Sequence, residues 1–188
     1  MQFVRKDFIS LIAATLFMIC AFALLISPAK AYVLFGGSWS DANSLTYWLD
    51  SSISQAGYTS HSQHGSTAWN SSPHVEISST SSSSGADIKW YASFNDLGDI
   101  YADALNYSGA TACWNCSYTN SIIRWNQPFI EDTGLDSNRI KETATHEVGH
   151  SLGLDHEDTI TSIMLSAGWL YGTYPVQDDF DGINAIYK

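Results

Sequence analysis

Strand-forming segments fill the first two thirds of the chain and helical periodicity fills the last third, an order that predicts an α+β domain. Two further observations shape that expectation. The N-terminal stretch differs in composition from everything after it. A short run from His146 to His156 sets helical spacing and metal-binding side chains into the same eleven residues.

The leader comes first. Arg5 and Lys6 make a basic start, residues 8–26 are a nearly unbroken apolar run, and Pro28-Ala29-Lys30-Ala31 supplies an Ala-x-Ala cleavage site. That order of parts is a secretory signal peptide, residues 1–31. The alternative is an uncleaved anchor, since 19 apolar residues can span a bilayer. In both cases the positive flank stays inside and residues 32–188 are exported, with no linker or internal repeat to divide them.

Within that domain residues 45–49, 74–78, 86–92 and 121–126 are rich in β-branched and aromatic side chains and predict four strands. Residues 99–107 predict a weaker fifth. Residues 61–70 predict a short helix between the first two strands. The serine-rich stretch 78–84 predicts a loop or hairpin tip, because nothing in it gains from burial. The clearest helix starts near Ser137, with Asp136 or Ser137 as its cap. Along it Ile140, Ala144, Val148 and Leu152 recur at spacing four, and Gly153 is the natural stop. Residues 178–187 predict a last helix, with acids in the first turn where the macrodipole favours them.

Charge narrows the partners. From residue 32 onward Lys89, Arg124, Arg139, Lys141 and Lys188 face 18 Asp and Glu, a net charge of −13. Such a surface repels phosphate backbones and anionic headgroups, so neither nucleic acid nor stable membrane association after signal cleavage is expected. It suits hard cations, which makes calcium a further candidate ion. Cys20 lies in the leader. Cys113 and Cys116 remain, and a pair this close in an exported chain predicts a disulfide of modest worth, about 2 kcal/mol.

The chemistry is concentrated in His146-Glu147-Val148-Gly149-His150-Ser151-Leu152-Gly153-Leu154-Asp155-His156. Residues four apart on a helix lie one turn above each other, so His146 and His150 can offer ring nitrogens to one ion. Glu147 stands beside them, where it can take a proton from a metal-bound water. Gly153 lets the chain turn out of the helix, which brings His156 back as a third ligand. Three protein ligands leave a fourth position for water, the mark of a catalytic zinc site. An amphipathic helix with three solvent-facing histidines is the bland alternative, and it leaves the placement of Gly153 unexplained.

This extended pattern resembles that of the metzincin peptidases. The flanking residues resemble the matrixin branch. Met164, in Ser162-Ile163-Met164, is similar to that family's methionine turn beneath the histidines. Residues 178–187 are similar to its C-terminal helix, and Leu45-Thr46-Tyr47 to its opening strand. The resemblance implies a twisted, mostly parallel five-stranded sheet with about three helices and a cleft over zinc. It implies that Asp178 and Asp179 hydrogen-bond beneath the methionine turn or near the N-terminus; a helix N-cap is their plainer role. Three departures stand out. Matrixins usually hold a second zinc through histidines before the last strand, whereas residues 99–120 contain none, so one catalytic zinc is expected. His61, His64 and His74 lie elsewhere and read as isolated surface histidines. The propeptide is expected to be absent, and Leu165-Ser166-Ala167-Gly168-Trp169 does not match the family's Pro-x-Tyr wall.

The function these readings imply is a secreted, monomeric zinc endopeptidase acting on protein or peptide substrates, with His146, His150 and His156 on the metal and Glu147 as general base. Two rivals differ in class. One is a catalytically silent module on the same scaffold. The other is an exported carbohydrate- or wall-binding protein, suggested by seven tryptophans and ten tyrosines, although aromatics also fill β-rich cores.

Overall fold

Six strands form one mixed sheet in the computed structural model, which describes residues 32–170 and 172–188; the expected signal segment, 1–31, lies outside them. The strands are β1 (Leu45–Leu49), β2 (Ile77–Ser79), β3 (Ile88–Ser93), β4 (Ala102–Ser108), β5 (Thr111–Ala112) and β6 (Asn120–Asn126). Their order is β2-β1-β3-β6-β4-β5. The first four in that order run parallel, while β4 runs antiparallel to β6, and β5 to β4. The α+β expectation therefore stands, with a two-residue sixth strand added at the edge.

Among the described residues five α-helices accompany the sheet: α1 (Ser51–Gln55), α2 (Thr59–Thr67), α3 (Gln127–Thr133), α4 (Ser137–Ser151) and α5 (Gln177–Tyr187). The expected three are α2, α4 and α5. The two additions, α1 and α3, are one or two turns long and carry no apolar periodicity to announce them. In α1 the Asp50 side chain caps the Ser52 N–H at 2.9 Å. A proline in the first turn starts α3.

Alternation sets the buried face of the sheet. Ile88, Trp90 and Ala92 of β3, Ala102 and Ala104 of β4, and Ile123 and Trp125 of β6 are all buried. Trp90 and Trp125 stack with centroids 5.6 Å apart. Each indole needs an acceptor, and α2 supplies them: Trp90 donates to Ser66 Oγ and Trp125 to Ser62 Oγ, both at 2.9 Å. These two serines are fully buried, which explains how a helix without a large apolar residue packs in the core. Trp69, also fully buried, donates to the Thr145 carbonyl of α4 at 3.0 Å.

The strand expected at 74–78 begins only at Ile77. Val75 is buried without joining the ladder, and the Asn70 amide brackets Ile77, accepting from its N–H at 2.9 Å and donating to its carbonyl at 3.0 Å. Ser78 and Ser79 belong to β2, so the serine-rich loop starts after them.

Candidate metal centre and cleft

Helix α4 sets the site. Asp136 caps it, accepting from the Asn138 and Arg139 N–H groups at 2.9 and 3.1 Å. Ile140, Ala144, Val148 and Leu152 are buried against the core, which turns His146 and His150 to a different face. The helix ends at Ser151, and Gly153 follows with φ of 101°, a conformation other residues resist. That turn carries the chain round to His156.

The three histidines converge. Their ring nitrogens lie within 4.8 Å of one another, and ring centroids are 4.6 to 5.2 Å apart. Nδ1 of His146 lies 2.9 Å from the Ile163 carbonyl, and Nδ1 of His150 lies 2.9 Å from the Leu154 carbonyl. A carbonyl only accepts, so each Nδ1 carries the proton and each Nε2 presents a lone pair. The Nε2 atoms of His150 and His156 are 3.2 Å apart. Two nitrogens bound tetrahedrally to one zinc at about 2.0–2.1 Å would be about 3.3–3.4 Å apart, so the donor set fits that ion. Burial pushes the His146 pKa down to about 4 and holds that of His150 well below the ordinary value, which keeps both rings neutral as ligands must be.

Glu147 points into the same space. It is 6% exposed and borders a cleft of about 760 Å³ that the three histidines also line. Burial first, and the Asp103 carboxylate second, push its pKa up to about 8 in the metal-free protein; a divalent cation alongside acts in the opposite direction.

Met164, 2% exposed, packs against α4 at Gly149. A Cβ on Gly149 would stand 2.3 Å from its sulfur, so the glycine between Glu147 and His150 is there to admit the methionine. Asp179 of α5 fixes this turn. Its carboxylate accepts from Ser162 Oγ at 2.6 Å, from the Ile163 N–H at 3.1 Å and from the Val176 N–H at 2.7 Å. Asp179 thus acts at once on the methionine turn and on the start of its own helix. The neighbouring Asp178 is half-buried, with burial raising its pKa.

The other histidines stand away from the centre. His61 and His64 are half-buried on α2, bonded to Ser137 Oγ at 3.0 Å and to the Thr173 carbonyl at 2.7 Å. His74 is half-buried as well. His61 and His64 are thus not isolated, because α2 packs inward through its serines and brings both rings against other segments. Cys113 and Cys116 form the expected disulfide.

Several cleft residues carry no signal in the sequence. Phe35, Tyr101, Trp114, Glu142 and Trp169 all line it. Trp169 occupies the wall where the Pro-x-Tyr pattern is missing, 5.6 Å from the Tyr101 ring and with the Arg139 guanidinium 5.4 Å from its face. Glu142, one turn before His146, is buried and accepts from the Leu170 N–H, which ties that wall to α4. Only the disulfide spacing around Trp114 was a hint. Compared with known protein families, residues 38–188 match the matrixin family model.

Proposed function

The chain belongs to the matrixin family of zinc metalloendopeptidases, and from that membership we propose that it is a secreted endopeptidase holding one zinc through His146, His150 and His156, with Glu147 as general base. The observation that carries the proposal is the convergence of three imidazoles, two of them oriented by backbone carbonyls, next to a buried carboxylate at the edge of a cleft.

When bound, zinc supplies Lewis acidity to a carbonyl and to a water. The chain does the rest. His146 and His150 are held rigid by the Ile163 and Leu154 carbonyls, so their lone pairs need no reorganisation. Glu147 takes the proton of the attacking water and returns it to the leaving amine. The outer edge of β4 borders the same cleft through Asp103, Ala104 and Leu105, where an extended peptide can add as a strand. Met164 packs against α4 at Gly149, between the two helical histidines in sequence, and is assigned no metal bond.

The aromatic content that suggests a carbohydrate-binding module has a packing explanation, since Trp39, Trp69, Trp90 and Trp125 are core residues. Among the described residues no helix is long and apolar enough to cross a membrane. Cleavage of casein or gelatin tests the proposal. Wild-type protein should degrade them and a chelator should stop it; an intact, zinc-bearing protein that cleaves neither would support the silent module instead.

A further inference from the structure

One wall of the cleft belongs neither to the zinc motif nor to the sheet. Phe35 and Trp114 line it, with ring centroids 4.6 Å apart and planes tilted by 38°. Phe35 in turn stands 5.3 Å from the ring of His150. Trp114 is 41% exposed, whereas Trp69, Trp90 and Trp125 are fully buried. Its position is nonetheless tightly fixed. The Cys113–Cys116 disulfide brackets it, and Tyr118 Oη donates to its carbonyl at 2.6 Å. The Ser38 N–H donates to the Cys116 carbonyl at 3.1 Å, and the Tyr118 N–H to the Ser38 carbonyl at 2.9 Å. Phe35 is held from the other side, its N–H donating to the Gly153 carbonyl at 3.0 Å. A large apolar ring left exposed on an anchored backbone inside a concave site serves a ligand better than it serves the fold.

Strand β5 gives the direction a ligand would take. It covers the outer edge of β4 at Tyr107 and Ser108, running antiparallel, and the Cys113 N–H continues the ladder to the Asn106 carbonyl at 2.9 Å. Beyond that point, from Leu105 back to Ala102, the edge has no strand partner among the described residues. A peptide added there in the sense of β5 has its N-terminal end beside Cys113 and Trp114, and its later residues pass Ala104 and Asp103 towards Tyr101.

We infer that Trp114 and Phe35 form an aromatic subsite that takes a large apolar or aromatic side chain on the N-terminal side of the scissile bond. The inference rests on the peptidase reading. It is tested with three otherwise identical peptide series carrying Phe, Ser or Lys at the three positions before the cleaved bond. Each is given to zinc-loaded wild type, Trp114→Phe and Trp114→Ala. In wild type kcat/KM for the Phe series should exceed that for the Ser series by about three- to tenfold, mostly through KM. Trp114→Ala should bring that ratio towards one, and Trp114→Phe should keep most of it. A ratio unchanged in Trp114→Ala overturns the subsite, as does a Lys preference in wild type that Trp114→Ala abolishes. Binding of the same peptides to Glu147→Gln separates the two levels. Tighter binding of the Phe peptide with no cleavage of any series by wild type would overturn the peptidase reading and leave the subsite standing.

Discussion

At the scale of single residues, Glu147 and Gly149 answer different demands two positions apart on α4. Glu147 is assigned proton transfer, so Glu147→Gln should keep the fold and the zinc. Its turnover should fall by roughly a hundred- to ten-thousand-fold, measured as kcat on a peptide substrate alongside metal content. Near-normal turnover in that variant would remove Glu147 from its role. Gly149 is a packing requirement: its missing Cβ leaves the space that Met164 Sδ occupies. Gly149→Ala should cost about 1–3 kcal/mol through overpacking, read as a lowered denaturant midpoint. The histidines and Glu147 are legible in the sequence because all four lie within eleven residues of one helix and its turn. Phe35, Trp114, Tyr101 and Trp169 are not, because four separate segments bring them to the cleft and no period or motif joins those segments.

At the scale of elements, α5 matters through the turn it clamps. Asp179 satisfies donors at Ser162, Ile163 and Val176, all in or beside segments that position the site. Asp179→Ala would leave several buried donors unpaired and should cost about 2–4 kcal/mol, lowering Tm by roughly 5–15 °C in a thermal scan. A Tm within a degree of wild type would show the clamp to be incidental. The disulfide closes a much shorter loop and should contribute less. Cys113→Ser with Cys116→Ser should cost about 2 kcal/mol, and the intact mass of wild type should rise by two hydrogens on reduction while that of the double variant stays unchanged. Helices α4 and α5 are readable because a fifteen-residue and an eleven-residue element carry caps and apolar spacing. The start of β2 is not, since Val75 looks strand-like in sequence but is buried by packing alone while Asn70 takes the edge of Ile77.

At the scale of the whole molecule, the mixed sheet and the α4 turn together bring a cluster of three histidines and the open edge of β4 to one cleft. The acidic balance, −11 over the full chain, belongs to the surface and says nothing of the fold. If residues 1–31 are the leader, the exported protein should begin at Tyr32, which N-terminal sequencing of material from the medium will read directly. A single zinc on His146, His150 and His156 is proposed to run the reaction, and a metal titration decides it. Exported protein is stripped with a chelator, zinc is returned in steps, and cleavage of a peptide is followed at each step. Activity should vanish on stripping and climb linearly to a plateau at one zinc per chain, with His156→Ala failing to recover at that level. Cleavage that persists without metal, or a folded protein inert at every zinc level, would contradict the account.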